Sequence, residues 1–289
     1  MTQPLTPAEL FPAGMPSISV RHIPVRSGIN MRVLESGPTG GEPAVLLHGW
    51  GASSYSFRHG LALLPERGVH TIAVDLRGFG LSDKPMRRGA YTLDAYCSDL
   101  DDVLEALAVR QPALIGHSMG GGIALRYALR NGERVSRIVL INPVGLVRLK
   151  ILGLARISPR WPFRAFDGRM TPRTMIGFIL RHIAYGNAEL VTDHVVDEYW
   201  SPTQLPGFGY AARAAVDEFN WAPVGTLEAK SLAKPCVVIL GDADRLVRDA
   251  RGAANRLAGA TVHQLAGGHC VHEEDPARVY DLIAQFVRK

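Results

Sequence analysis

The chain has few cysteines, no long apolar run and little net charge, and each shortage excludes a class of protein. Its three cysteines, Cys97, Cys236 and Cys270, lie far apart and form no C-x-x-C pair or Cys/His metal pattern. No apolar stretch reaches the ~18 residues of a membrane helix. The N-terminus lacks the basic start and apolar core of a signal peptide. We therefore expect a reduced, cytoplasmic protein with no metal site and no stable membrane insertion.

The net charge of +5 is small, but the charges are unevenly placed. Between Arg148 and Tyr185 there are eight Lys/Arg and one acid, and between Gly186 and Ala222 there are six acids and one base. Solvated helix faces explain this pattern. The alternative is a basic, apolar flap that attracts acidic or lipid-like substrates or makes interfacial membrane contact. No nucleic-acid-binding motif accompanies the basic residues, so we expect no nucleic-acid partner. The oligomeric state is left open.

Short apolar runs alternate with longer helical patterns along most of the chain. The short runs predict strands at 17–24, 31–36, 44–47, 71–75, 113–115, 138–141, 236–240 and 261–265. The helical patterns cover 57–67, 93–108, the residues after 118, and 276–286. The first two strands predict an antiparallel hairpin. The alternation predicts an α/β fold with a doubly wound, mostly parallel eight-stranded sheet.

The alternation stops between residues 147 and 223. This stretch is rich in Arg, Pro and aromatic residues, has a helical character, and is too long for an ordinary loop. We interpret it as a helical cap inserted over the carboxyl ends of the strands, where open α/β sheets bind their ligands. The core domain then comprises residues 17–146 and 224–289.

A candidate nucleophile lies between a strand and a helix. Residues 116–120 read Gly-His-Ser-Met-Gly, which is the G-x-S-x-G pattern in its strand–turn–helix context. A side chain in place of either glycine would collide with the neighbouring strand or helix, while the strained turn exposes the hydroxyl of Ser118. The sequence therefore predicts Ser118 as a nucleophile. Cys270 is a weak rival.

A serine nucleophile needs a general base and an acid that orients it, each in a loop after a late strand. Asp244 follows the strand at 236–240, and Asp242 is the alternative, although it is also suited to a turn. His269 follows two glycines after the last strand and is the predicted base. His272 is expected to be structural and to shape the loop by hydrogen bonding.

The oxyanion of a tetrahedral intermediate needs two backbone N–H donors. We expect one from Met119, at the start of the helix, where the free amides and the dipole favour negative charge. The second is expected from Trp50, in the His48-Gly49-Trp50 loop, with its ring lining the pocket. A simple tight turn is the alternative interpretation of His48-Gly49.

Five motifs occur in the order expected of one superfamily. They are 46–50 (LLHGW), 75–83 (DLRGFGLSD), 116–120 (GHSMG), 241–244 (GDAD) and 267–269 (GGH). Together they resemble the α/β-hydrolase superfamily from about Ile18 to the C-terminus, except in the cap. The resemblance implies that Asp75, Arg77 and Asp83 are structural. Haloalkane dehalogenases and epoxide hydrolases of that superfamily carry an aspartate nucleophile, so Ser118 argues against both activities.

These residues predict a serine hydrolase that cleaves carboxylic esters of small to medium substrates, with no cofactor. The cap would line the pocket with aromatic side chains, for which the candidates are Phe163, Phe166, Phe178, Trp200, Phe208 and Trp221. Two alternatives use the same triad, a carbon–carbon bond hydrolase of vinylogous diketones and a lactonase. A third is a hydrolase-fold protein that binds a ligand without turnover, which would not need Ser118, Asp244 and His269 together.

Overall fold

The computed structural model describes residues 3–149 and 171–289. Their strands form one eight-stranded sheet. Its strands are β1 (Ser19–Pro24), β2 (Asn30–Ser36), β3 (Glu42–Leu47), β4 (Val69–Val74), β5 (Ala113–His117), β6 (Arg137–Ile141), β7 (Cys236–Gly241) and β8 (Ala260–Leu265). They lie in the order β1-β2-β4-β3-β5-β6-β7-β8. β2 runs antiparallel to β1 and β4, and the other neighbouring pairs are parallel. The predicted fold class and the hairpin are confirmed.

Helices cover both faces of this sheet. They are α1 (Arg58–Leu63), α2 (Leu93–Ala106), α3 (Met119–Arg130), α4 (Arg173–Ile179), α5 (Asp193–Trp200), α6 (Phe208–Glu218), α7 (Thr226–Lys230), α8 (Ala250–Ala254), α9 (Val271–Glu274) and α10 (Pro276–Val287). The single helix predicted over 57–67 is instead broken into α1 and two 3₁₀ turns, Ser54–Phe57 and Pro65–Arg67. Pro65 lacks the N–H that a continuous α-helix would need there.

The central strands divide the core into two apolar layers because successive side chains point to opposite faces. On β3, Val45 joins the layer that contains α2 and α3, whereas Leu46 joins the layer that contains α1 and α10. Leu114 and Ile115 of β5 are divided in the same way. All four side chains are fully buried. Because β3, β5, β6, β7 and β8 run parallel, their carboxyl ends meet at one edge of this covered sheet.

Residues 147–223, which we call the insertion, connect β6 to β7, and α4, α5 and α6 lie in its described part. The N-terminal segment joins the insertion to the sheet. The backbone N–H of Phe11 donates to both carboxylate oxygens of Glu198 on α5, at 3.0 and 3.3 Å. Arg32 of β2 donates to the carbonyl of Phe11 at 2.6 Å, and the N–H of Leu5 donates to Ser201 Oγ at 2.8 Å.

A second joint connects the insertion to the loop between β8 and α9. Glu274 Oε1 accepts from Gly268 N–H of that loop at 2.7 Å, while its Oε2 accepts from the backbone N–H groups of Gly186 and Asn187 at 2.8 Å each. The two backbones touch, since a Cβ on Gly268 would lie 2.4 Å from the nitrogen of Gly186. The cap role and the boundaries of the insertion remain predictions.

Glu273 strengthens this joint from inside the protein. Its buried carboxylate accepts hydrogen bonds from Tyr185 at 2.8 Å and Tyr199 at 2.5 Å, both in the insertion, and pairs with Arg58 of α1. One side of the insertion is therefore fixed to the sheet by a buried, fully hydrogen-bonded carboxylate.

The basic and acidic parts of the insertion face each other where they are described. Arg173 pairs with Asp197 at 2.5 Å and with Asp193 at 3.1 Å. Five of the eight basic residues between Arg148 and Tyr185 lie outside the described residues. Among the helices of residues 3–149 and 171–289, none is long and apolar enough to cross a membrane.

Candidate active site

Ser118 occupies a strained turn between β5 and α3. Its φ is +53° and its ψ is −115°, a conformation that is rare for a residue with a Cβ and occurs most often at functional sites. The N–H of Ser118 donates to the carbonyl of Ile141 at 3.0 Å, and its own carbonyl accepts from the N–H of Val144 at 3.0 Å. The turn is thus held by the end of β6, and it presents the half-buried serine at the carboxyl edge of the sheet.

The two glycines of the pentapeptide are required by close backbone approach. A Cβ on Gly116 would lie 2.4 Å from the carbonyl oxygen of Gly120. A Cβ on Gly120 would lie 2.0 Å from the carbonyl oxygen of Leu47, at the end of β3. The collisions expected from the sequence pattern are therefore present on both sides of Ser118.

Asp244 and His269 form a buried hydrogen-bonded pair. The Nδ1 atom of His269 lies 2.8 Å from Oδ2 of Asp244, and Asp244 Oδ1 accepts from the N–H groups of Leu246 and Val247 at 2.7 and 3.0 Å. Burial raises the pKa of the Asp244 carboxyl, but the hydrogen bond and charge of His269 and the two N–H groups outweigh it. The net pKa lies below its ordinary value. An ionised Asp244 holds the proton of His269 on Nδ1, which leaves Nε2 as an acceptor.

The turn at residues 116–120, which we call the elbow, is in contact with the loop at residues 266–270 that carries His269, which we call the base loop. His117, the neighbour of Ser118, has its Nε2 2.9 Å from the carbonyl oxygen of His269, and the two rings lie 4.8 Å apart. Among the described residues, Ser118 Oγ and His269 Nε2 are not joined by a hydrogen bond within 3.5 Å. Such a bond is often long in a free enzyme and shortens when substrate binds.

The predicted oxyanion loop lies against the elbow. The N–H of Gly120 donates to the carbonyl of His48 at 3.1 Å, and a Cβ on Gly49 would lie 3.1 Å from the Cβ of Ser118. Met119 is the first residue of α3, so its N–H has no acceptor within the helix. The loop that carries Trp50 and the start of α3 therefore converge beside Ser118.

His48 fixes this loop, a role that the sequence did not indicate. Its Nε2 accepts from the N–H of Leu76 at 2.9 Å, so its Nδ1 carries the proton and donates to the carbonyl of Gly49 at 2.7 Å. Burial lowers the pKa of His48, which keeps the ring neutral. Trp50 is 45% exposed, and its indole N–H donates to the carbonyl of Ala212 on α6 at 3.0 Å.

The predicted lining residues have different surroundings. Trp200 and Trp221 are buried, and their indole N–H groups donate to the carbonyls of Thr171 and Ala215. Phe208 is buried with its ring 6.2 Å from Phe79. Phe178 is 58% exposed. Phe163 and Phe166 lie outside the described residues.

The rival candidates have other environments. Asp242 accepts from the N–H of Gly267 at 3.1 Å, which links the loop after β7 to the loop after β8. Cys270 is fully buried, and burial raises the pKa of its thiol well above the ordinary value, so it does not supply a thiolate. His272 is buried, and within the described part neither of its ring nitrogens has a hydrogen-bond partner. The expectation that it shapes the loop by hydrogen bonding is therefore wrong; it packs against His117, with ring centroids 4.4 Å apart.

Asp75 organises the loop that follows β4. Its buried carboxylate accepts from Ser54 N–H at 2.6 Å, from Leu81 N–H at 2.8 Å and from Arg32 at 3.1 Å. These contacts are those of a structural residue. Within residues 3–149 and 171–289, no group of three or more His, Cys, Asp or Glu side chains could hold a metal ion.

Asn142 was missed by the sequence analysis. It directly follows β6 and is fully buried. Its Nδ2 donates to the carbonyls of Gly268 and His269 at 3.1 and 2.9 Å, and its Oδ1 accepts from Gly241 N–H at 2.9 Å. The partners are about one hundred residues or more away along the chain, so no local pattern could have revealed them.

Residues 43–276 match the model of a protein family described as alpha/beta hydrolase fold. The chain belongs to this family. This α/β hydrolase is 29% identical to 2-hydroxymuconate semialdehyde hydrolase of Pseudomonas sp. (strain CF600), over 91% of its own length and 92% of the relative's. It is 23% identical to epoxide hydrolase A of Mycobacterium tuberculosis, over 90% and 95% of the two chains.

Solved structures resemble the same α/β hydrolase over nearly its whole length. The crystal structure of the enol-lactonase from Burkholderia xenovorans LB400 superposes with a TM-score of 0.76 at 20% identity and covers 93% of this chain and 100% of the other. At that identity the likeness concerns the fold alone. The relatives are hydrolases of several kinds.

Proposed function

We propose that this α/β hydrolase is a serine hydrolase that cleaves carboxylic esters of small to medium substrates through an acyl-enzyme on Ser118. One observation carries the proposal, namely that a serine with φ of +53° stands at the sheet edge where Asp244 and His269 form a 2.8 Å pair. Oriented acid–base pairs beside a strained nucleophile are typical of acyl transfer.

In the first half-reaction His269 Nε2 takes the proton of Ser118 as Oγ bonds to the substrate's carbonyl carbon. The negative charge moves to the carbonyl oxygen, where the N–H groups of Met119 and Trp50 would hold it. The imidazolium is stabilised by the ionised Asp244 at 2.8 Å. It then gives its proton to the departing alcohol as the tetrahedral intermediate collapses to an ester on Ser118.

In the second half-reaction water replaces the alcohol. His269 takes a proton from water, the hydroxide oxygen bonds to the acyl carbon, and the same two N–H groups hold the oxyanion. The intermediate then releases the carboxylic acid, and Ser118 regains its proton from His269. The reaction uses only these side chains and two backbone amides, so the proposal includes no cofactor.

The insertion would act as the cap that selects the substrate. Trp50 supports this role, because its partly exposed ring reaches from the oxyanion loop to Ala212 on α6. The three cysteines are free and buried, which fits the proposed cytoplasmic setting.

Carbon–carbon bond hydrolysis is the second candidate. It is favoured by the 29% identity to 2-hydroxymuconate semialdehyde hydrolase over nearly the full chain. Epoxide hydrolysis is disfavoured, despite the resemblance to epoxide hydrolase A, because the elbow carries Ser118 in place of an aspartate.

The test combines a covalent probe with two substrate series. A fluorophosphonate should label the wild-type protein at Ser118, and p-nitrophenyl esters of graded acyl length should be hydrolysed faster than a vinylogous diketone. The variant Ser118→Ala should lose both labelling and turnover. Ser56→Ala is the matched control, because Ser56 Oγ is buried and has no hydrogen-bond partner in the described part; it should keep both.

Two results would contradict the proposal. Folded wild-type protein that is not labelled would exclude a serine nucleophile. Faster turnover of the diketone than of every ester would favour the second candidate.

A further inference from the structure

Asn142 contacts the supports of all three proposed catalytic side chains. Its own backbone belongs to the segment that holds Ser118, since Ile141 before it accepts from Ser118 N–H and Val144 after it donates to the Ser118 carbonyl, both at 3.0 Å. The elbow, the end of β7 and the base loop therefore meet at Asn142. Its φ of +39° is a left-handed conformation that asparagine tolerates better than most residues with a Cβ.

The amide of Asn142 makes three hydrogen bonds with backbone groups of two different loops. Its oxygen accepts from Gly241 N–H, at the end of the strand that leads to Asp244, at 2.9 Å. Its nitrogen donates to the carbonyls of Gly268 and His269 at 3.1 and 2.9 Å. An amide is the side chain that can accept at one atom and donate twice at the other. A carboxylate of the same shape could keep only the first bond.

The carbonyl of His269 is held from two directions. His117 approaches it at 2.9 Å, and burial lowers the pKa of His117 to about 3, so this ring is a neutral donor. Asn142 supplies the second donor to the same oxygen. These bonds fix the backbone of the proposed base, while Asp244 fixes its ring.

We propose that Asn142 is a positioning residue that sets the placement of His269 relative to Ser118 and Asp244. This inference rests on the proposed function. Asn142 acts through the backbone of the base loop. Its loss should therefore lower kcat and the reactivity of Ser118 more than it changes KM. Misplacement of a catalytic group by about 1 Å can cost roughly 100-fold in rate.

Two variants test the role. Asn142→Ser shortens the side chain and removes the bonds, so kcat should fall about 10- to 100-fold by a factor that is constant with pH. Asn142→Asp places an oxygen against two carbonyl oxygens. The introduced carboxyl can replace one N–H donor of the amide only while it is protonated. The kcat of Asn142→Asp relative to wild type should therefore decrease further as pH rises from about 5 to 9.

The control is Ile138→Val, which removes a buried methyl group from β6, the strand before Asn142, and leaves the hydrogen bonds of the base loop in place. All rates are divided by the concentration of folded protein, measured by circular dichroism, so that lost folding is not counted as lost catalysis. The control should keep kcat within about twofold, whereas both Asn142 variants should lower kcat with KM within about threefold.

The outcomes separate the inference from the proposed function. The positioning role would be overturned if the wild-type protein is active, both Asn142 variants keep kcat within about twofold of wild type, and Asn142→Asp shows no pH trend. Inactive, unlabelled wild-type protein would overturn the proposed function instead. The low-field NMR signal of the His269 Nδ1–H proton, which is bonded to Asp244, then decides the inference: its loss in Asn142→Ser supports it, and an unchanged signal refutes it.

Discussion

Glu198 should make the stability of this protein fall as the pH rises from about 4.5 to about 7. Burial raises the pKa of its carboxyl from 4.5 to about 7, although the N–H of Phe11 and the charges of Arg32 and Arg58 oppose the rise. Asp197 adds to the rise, and Nε2 of His194, one turn earlier on α5, lies 3.9 Å from Oε1 of Glu198. Between the two pKa values the folded protein holds a proton that the unfolded chain has released, so raising the pH favours unfolding.

The size of this effect follows from the difference between the two pKa values. One pKa unit corresponds to about 1.4 kcal/mol, so a rise from 4.5 to about 7 amounts to at most about 3–4 kcal/mol. The contribution is absent below about pH 4.5 and complete above about pH 7. Glu198→Gln remains neutral at every pH and keeps a carbonyl oxygen that can accept from Phe11 N–H.

Urea denaturation at pH values from about 4 to 8.5 measures the effect. The free energy of unfolding of Glu198→Gln should equal that of wild type near pH 4 and exceed it by about 1–3 kcal/mol near pH 8. Glu189→Gln is the control, because this glutamate is exposed in the same insertion; its difference from wild type should not change with pH. A Glu198→Gln variant whose difference from wild type is equally flat would refute the reasoning.

Two further substitutions test the site. Asp244→Asn should lower kcat about 10³- to 10⁴-fold with little change in stability, because an amide no longer enforces the Nδ1–H form of His269; steady-state kinetics and thermal melting check this, and a loss below tenfold would contradict the assigned acid. Gly120→Ala should cost about 1–3 kcal/mol and abolish fluorophosphonate labelling, because its Cβ would lie 2.0 Å from the Leu47 carbonyl oxygen. Gly252→Ala, with no atom near its Cβ, is the control and should lower neither the free energy of unfolding nor the labelling.

The parts predicted from sequence are those with a local signal. The alternation of strand and helix patterns was sufficient for the sheet, and Ser118, Asp244 and His269 each lie within four residues of the end of a strand. The parts that were missed depend on contacts between distant residues. His48 is bonded to Leu76, and Asn142 to His269, but neither has a neighbour in sequence that indicates the bond. The interrupted helix at 57–67 could have been predicted from Pro65.

The joint between the insertion and the base loop limits how this protein can be recombined. Gly268 and Gly186 touch through their backbones, and Glu274 bonds to both sides. A foreign insertion grafted between β6 and β7 would need a glycine opposite Gly268 and two free N–H groups facing Glu274. Without them, the graft would displace the loop that carries His269. The insertion is therefore not an independent module, because part of the support of the loop that carries His269 belongs to the exchanged segment.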